Sequence, residues 1–200
     1  MLCTIDDIKE RLGLDTTNTQ HDAVLAQIAA GFTALAERYC GRGLVLTESE
    51  VTEYHTGQSN LLQVRRYPIA SIESVKEAFD FDFSLATALT ADTDYRLIDG
   101  GRKGVLARLW GDWCKQYDSI QVVYRGGYAA AGATPDEGET AMPEDLREAA
   151  ILQGAFMFKR RDDLGLSAVS FNGGSISKFS ALDLLPLVRQ TLDAYRRLSF

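Results

Sequence analysis

Ser119-Ile120-Gln121-Val122-Val123-Tyr124, followed by Arg125 and the pair Gly126-Gly127, is a β-prone run that stops at a turn. It closes a stretch, Leu44 to Tyr128, in which such runs recur at Val51–His55, Leu61–Val64, Ser74–Ala78, Tyr95–Ile98 and Val105–Leu109. Gly57-Gln58-Ser59-Asn60, Asp92-Thr93-Asp94 and Asp99-Gly100-Gly101 punctuate them. Pro68 forces extended backbone before it and has no N–H for a ladder, so an edge or a connection falls there. No pattern of helix length separates the runs. An antiparallel sheet is favoured over a doubly wound parallel one.

Outward from this stretch the apolar spacing changes to three and four. Thr4 to Leu12 carries Ile5, Ile8 and Leu12 on one face, with Thr4 as cap and Gly13 as a left-handed stop. A longer helix, about His21 to Cys40, places Val24, Leu25, Ile28, Phe32, Leu35 and Tyr39 in a stripe. After the strands, Ala129 to Ala141 holds small and acidic residues and reads as a flexible loop. Pro143, Glu144 and Asp145 open a third helix that ends on Lys159-Arg160-Arg161, with Leu146, Ala149, Ala150, Gln153, Phe156 and Met157 facing inward. Asn172-Gly173 signals a hairpin within 169–177, and a last helix runs from about Asp183 to Leu198 with Pro186 in its first turn. The expected fold is α+β: mainly a bundle of about four helices with an antiparallel β-rich insert. As one domain over 1–200, it divides into helices at 1–43, the insert at 44–128, the acidic loop at 129–142 and helices at 143–200.

The chain has 200 residues, 46% hydrophobic and 24% charged, which excludes a disordered or low-complexity scaffold. Its 21 basic and 28 acidic residues leave a net charge of −7, the wrong sign for a protein that grips nucleic acid by displacing counterions. Cys3, Cys40 and Cys114 are odd in number and far apart, so no disulfide framework is expected. Apolar runs fall short of the ~20 residues of a membrane span, and Met1 to Asp7 has no signal-peptide pattern. These features predict a soluble protein made and kept inside a cell.

Signatures of catalysis are missing or weak. His21 and His55 form no close pair with the cysteines of the kind zinc sites use. Gly100-Gly101-Arg102-Lys103-Gly104 lacks the serine or threonine and the helix of a phosphate loop, and reads as a hairpin turn. The pairs Asp80/Asp82, Asp92/Asp94 and Asp162/Asp163 could bind a hard cation or do acid–base work, but they sit in turn-like polar segments where solvation explains them. Trp110 and Trp113 could stack on a ligand or anchor a sheet edge. No catalytic residue, metal or cofactor is assigned. A carboxylate-dependent, metal-assisted hydrolase is the alternative from the enzyme class.

Two features point to interaction instead. Asp136, Glu137, Glu139, Glu144, Asp145 and Glu148 form an acidic block, while Lys159, Arg160, Arg161, Arg196 and Arg197 make basic ends that neighbouring copies could pair with it. The terminus Tyr195-Arg196-Arg197-Leu198-Ser199-Phe200 is rich in the residue types that dominate interface energies.

The order of several segments resembles the head–tail connector proteins (head-completion or adaptor proteins) of tailed bacteriophages, prophages and gene transfer agents. They are Ile5-Asp6-Asp7-Ile8-Lys9-Glu10-Arg11-Leu12, Arg38-Tyr39-Cys40-Gly41-Arg42, Tyr67-Pro68-Ile69-Ala70-Ser71-Ile72, Tyr95-Arg96-Leu97, Val122 to Tyr128, Pro143-Glu144-Asp145-Leu146, and Leu185-Pro186-Leu187 through Leu198. The resemblance implies a non-enzymatic virion protein at the head–tail interface, made in the host bacterial cytoplasm. It would form a homo-oligomeric ring, dodecameric on the portal, between the portal protein and a tail-side completion protein. DNA would pass through the channel without sequence-specific binding, and no membrane would be involved. Portal contact falls to Tyr195, Arg196, Arg197, Leu198 and Phe200. Subunit or tail-side contact falls to Phe171, Asn172, Gly173, Lys159, Arg160, Arg161, Asp136, Glu137 and Glu139. A tail-completion or terminator protein of the same particle is the alternative within this class.

Overall fold

The computed structural model describes residues 1–161, the strand backbones 168–171 and 174–177, and residues 184–197. The chain divides into two compact units, one of Met1–Cys40 with Met142–Phe200 and one of Gly41–Ala141.

Among the described residues the first unit holds four α-helices: α1 (Ile5–Leu12), α2 (Asp22–Cys40), α3 (Glu144–Lys159) and α4 (Pro186–Ala194). The start of α1 is a reciprocal capping box. The Asp7 N–H donates to the Thr4 hydroxyl at 3.1 Å, and the Thr4 N–H donates to the Asp7 carboxylate at 2.8 Å. Gly13, at φ 70°, ends the helix as its left-handed cap. The helix α3 packs on each of the other three. A side chain at Gly154 would meet Ile8 Cδ1 at 2.9 Å, so that glycine lets α1 and α3 approach. Buried Gln153 accepts from the Leu185 N–H at 3.0 Å, satisfying backbone ahead of α4.

The inward faces differ from the sequence reading in detail. In α2 the buried stripe is Leu25, Ala29, Phe32, Ala36 and Cys40, and Val24 is exposed. Ala29 and Ala36 are buried yet small, so a search for large apolar residues passes over them. Phe158, not Phe156 or Met157, completes the buried face of α3. The helix α4 is shorter than expected because Leu184 and Leu185 are non-helical and Pro186 sets its first turn, while Tyr195 caps its end.

One charge is buried among these helices. Lys9 is 2% exposed, with Nζ 2.6 Å from Asp22 Oδ1 and donating to the Thr16 carbonyl at 3.0 Å. Asp22→Ala would strand this ammonium. Because Asp22 keeps a third of its side chain in water, the loss should fall below that for a fully buried pair, at about 2 kcal/mol in urea unfolding. Adding Lys9→Met should recover most of it; a double variant no more stable than Asp22→Ala would show that the pair is not the cause.

The second unit carries two three-stranded antiparallel sheets. One is ordered β1 (Val51–His55), β6 (Ile120–Gly126), β3 (Ile69–Glu77); the other β2 (Leu61–Gln63), β5 (Val105–Arg108), β4 (Tyr95–Leu97). Alternate residues Ile120, Val122 and Tyr124 point inward from β6, joining Val75, Leu62, Leu106 and Trp113 in one apolar core. The expected strand at Ser74–Ala78 is longer and starts at Ile69. Register shifts between Ile69 and Ser71 and between Ile72 and Ser74 break the alternation that sequence reading relies on. The Gly100 to Gly104 segment lies in the β4–β5 hairpin connection, as read. The unit also ties its own ends together: Val45 bridges Tyr128, and Tyr128 bridges Thr140.

A separate hairpin pairs β7 (Ala168–Phe171) with β8 (Gly174–Ser177) in the register Phe171 with Gly174. The chain is α+β as expected, but "mainly a helical bundle" overstates the helix. The β-bearing unit takes as much of the chain as the helical one, and its strands form two sheets.

Candidate docking surfaces

The end of α4 is fixed to the rest of the helical unit by polar contacts. The Tyr195 hydroxyl donates to Asp145 Oδ1 at 2.6 Å, the Arg197 N–H donates to the Cys40 carbonyl at 2.8 Å, and the Tyr39 hydroxyl donates to Asp193 at 2.7 Å. The Arg196 guanidinium is exposed, 5.7 Å from the Tyr39 ring centre. Two features that sequence reading kept apart, the acidic start of α3 and the tyrosine–arginine end, therefore meet in one unit. Leu198 and Phe200 lie outside the described residues.

At the end of α3, Lys159 is exposed, Arg160 lies 5.4 Å from the Phe156 ring centre, and Arg161 lies 4.1 Å from that of Phe158 while donating to the Phe158 carbonyl. Phe171 pairs with Gly174 across the β7–β8 hairpin, whose Asn172 and Gly173 lie outside the described residues.

The acidic block divides between internal and outward roles. Glu139 accepts from Arg125 at 3.1 Å and keeps only a tenth of its side chain exposed, whereas Asp136 and Glu137 are exposed. Glu148 pairs with Arg11 at 3.1 Å. Arg147 bonds Asp7 twice, at 2.6 and 3.2 Å. Burial opposes ionisation of Asp7, but Arg147 and the Thr4 donors outweigh it and hold the carboxyl below its ordinary value.

The groups read as possible chemistry hold structural roles. Burial pushes the Cys3 thiol up to about 12, which leaves no reactive thiolate at neutral pH. Cys40 is buried as well. His55 contacts Glu53 at 2.9 Å, and His21 lies edge-on to the Phe158 ring. Asp80 and Asp82 accept from the backbone two residues on, Asp92 pairs with Arg96, and Asp94 accepts from the Thr90 N–H. Asp162 and Asp163 lie outside the described residues. Among the described residues no group of three or more His, Cys, Asp or Glu side chains could hold a metal ion, and no helix is long and apolar enough to cross a membrane. Trp113 is buried in the β core, while Trp110 is exposed with its ring N–H on the Thr93 carbonyl.

Sequence reading missed one surface. In Phe79-Asp80-Phe81-Asp82-Phe83-Ser84-Leu85 the aspartates draw attention as carboxylates, yet Phe79, Phe81 and Leu85 are exposed. The available signal is the alternation of aromatic and acidic residues in a segment with no strand partner.

The family model described as "Head completion protein" matches residues 1–198. No curated protein matches the chain by sequence. Among solved structures, a chain from the "Neck of empty GTA particle computed with C6 symmetry" superposes with a TM-score of 0.62 at 15% identity, covering 98% of this chain and 90% of that one. A chain from the "Virion of native gene transfer agent (GTA) particle" gives 0.61 at 15% identity with the same coverage. One from the "Neck of native GTA particle computed with C12 symmetry" gives 0.55 at 14% identity, covering 89% and 84%. At these identities the likeness is one of fold.

Proposed function

Because the chain belongs to the head completion protein family, we propose that it forms a ring adaptor between the portal vertex and the tail, extending the DNA channel after packaging. Membership itself assigns a head–tail connector role. The observation that carries the finer reading is the family match over nearly the whole chain, joined by the fold shared with chains of gene transfer agent necks, two of them computed with C6 and C12 symmetry. The protein then acts by surface complementarity, without turnover, in the virion. A net charge of −7 suits a channel that lets DNA pass, since a wall that does not gather phosphates does not hold them.

A ring needs head-to-tail contacts, so two different faces of each copy must bind. In this reading Tyr195 to Phe200 meets the portal. Lys159, Arg160 and Arg161, the Phe171-Asn172-Gly173 hairpin and the Asp136-Glu137-Glu139 segment serve neighbouring copies or the tail-side protein. Support for the first assignment is that Tyr195 and Arg197 are anchored while Arg196 is left exposed. Exposure of Asp136 and Glu137 supports the last, with Glu139 acting as its internal brace.

The test mixes purified protein with portal rings and images the product by electron microscopy. A stoichiometric ring bound to the portal is expected. Failure to co-migrate with portal at any salt concentration would overturn the reading, as would particles lacking the protein that still join tails and keep their genomes.

A further inference from the structure

The sheet of β2, β5 and β4 buries one face and exposes the other. Leu62, Leu106 and Tyr95 enter the apolar core, and Leu97 packs against it. Their neighbours along each strand point the opposite way. The register sets Leu61, Ala107 and Arg96 in one row across this outer face. Leu109, whose N–H extends the ladder to the Asp94 carbonyl at 3.0 Å, and Ile98, two residues on from Arg96, flank the row. Leu61 is 42% exposed, Ile98 41% and Leu109 37%. An antiparallel sheet face that meets only water is ordinarily polar, so this one suits a cover.

Charge does not select the occupant. The β4–β5 hairpin brings exposed Asp99, Arg102 and Lys103, of both signs, and Arg96 on the face already holds Asp92 at 3.0 Å. The surface therefore fits an uncharged apolar ribbon, which strands no ion when it docks. Such a ribbon exists in the same chain. The strands β7 and β8 form a two-stranded hairpin that, among the described residues, pairs with no third strand. Their register sets Val169 opposite Ile176 and Phe171 opposite Gly174 on one face, with Ala168, Ser170, Ser175 and Ser177 on the other. No charged residue occurs from 168 to 177. A lone two-stranded hairpin is marginal in water and needs a further surface to hold it. Its strands are four residues long, as β5 is, so both surfaces run for about 13 Å.

We propose that the β7–β8 hairpin of one copy packs face to face on the outer surface of the β2–β5–β4 sheet of a second copy. The hairpin face that carries Val169, Phe171 and Ile176 turns toward Leu61, Ala107, Leu109 and Ile98, as two sheets pack in a sandwich. Hairpin and sheet face are different surfaces, so the contact is head-to-tail and passes from copy to copy. The proposal rests on the ring reading, in which the hairpin serves a neighbouring copy or the tail side, and names the surface that receives it.

The test uses two full-length double variants. Leu61→Lys with Leu109→Lys spoils the sheet face, and Val169→Lys with Ile176→Lys spoils the hairpin. Sedimentation velocity follows the native chain, each variant and their equimolar mixture, with and without portal rings. The native chain is expected to self-associate in at least one setting, and each variant alone about a hundredfold more weakly. The mixture should regain pairs and nothing larger, because one variant keeps an intact hairpin and the other an intact face. A chain that had merely misfolded could not supply its half, so rescue separates lost docking from lost folding. This pattern without portal binding would support the contact and count against the connector reading. Portal-bound rings built as fully by either variant as by the native chain would overturn the contact and leave the connector role. A mixture that fails to associate, or a native chain that stays monomeric in both settings, would also overturn it.

Discussion

Gly127→Ala is expected to unfold much of the strand-bearing unit, at a cost of about 4 kcal/mol. Gly127 has φ 114°, which an alanine rarely adopts. Its added Cβ would stand 2.6 Å from the Leu46 nitrogen and 2.6 Å from the Val45 carbonyl carbon. Both are backbone atoms held in place, because the Leu46 N–H donates to the Tyr128 carbonyl at 2.8 Å and the Tyr128 N–H to the Leu44 carbonyl at 2.7 Å. No rotamer change can relieve the collision. Gly111→Ala is the control: its φ is 73°, nothing lies within 4 Å of its Cβ, and only about 1 kcal/mol should be lost. Amide hydrogen exchange of β1, β3 and β6 reads the difference. Equal protection in the two variants would show that the close approach does not constrain the fold.

The second large effect belongs to Glu53. Its carboxylate, about a tenth exposed, accepts from the Tyr124 hydroxyl at 2.5 Å and the Arg65 N–H at 3.0 Å, and it contacts the His55 ring at 2.9 Å. Tyr124 in turn accepts from the Arg66 N–H at 2.9 Å. Glu53→Ala leaves the buried Tyr124 hydroxyl and the largely buried His55 ring without this partner, while the exposed Arg65 N–H can turn to water, for a loss of about 3 kcal/mol by urea unfolding. Burial alone would raise the Glu53 pKa; the donors from His55, Tyr124 and Arg65 outweigh it and hold the carboxyl below the usual carboxylate range. Burial, with the Glu53 charge next, moves the Tyr124 phenol in the opposite direction, upward. A depressed carboxylate contributes its stability above the unfolded pKa and loses it as pH falls through the folded one. The gap in stability between the native chain and Glu53→Gln should thus be full at pH 7 and shrink as the pH drops below about 4.5. A gap independent of pH would mean that shape alone, without the charge, accounts for the loss.

Local signals made much of this fold legible. Thr4, Asp7 and Gly13 delimit α1 through chemistry confined to one turn, and Val51–His55 is a strand whose alternation is unbroken. The β3 strand was only half visible because its bulges depend on the partner β6, which a linear reading cannot pair. In α2 the buried Ala29 and Ala36 are too small to stand out in a search for apolar periodicity. Among candidate surfaces, the basic and acidic blocks were visible as composition. Which charges stay outward was not, since the pairs Arg147–Asp7 and Arg125–Glu139 join residues distant in sequence or separated by a loop. Phe79 and Phe81 were hidden by convention: aromatic residues suggest a core until a structure shows them in solvent.

The bridges from Val45 to Tyr128 and from Tyr128 to Thr140 bear on the order in which the protein folds. The helical unit is assembled from two ends of the chain, Met1–Cys40 and Met142–Phe200, with about a hundred residues between them. Closing a loop of that length in an unfolded chain is entropically costly, and each halving saves about 0.6 kcal/mol. Once the strands are paired, those bridges reduce the free span to about ten residues, which relieves the helices of about 2 kcal/mol. The insert thereby acts as an internal clasp: completing it first delivers α2 and α3 to one another, and a lesion that delays it slows the bundle without touching a helix.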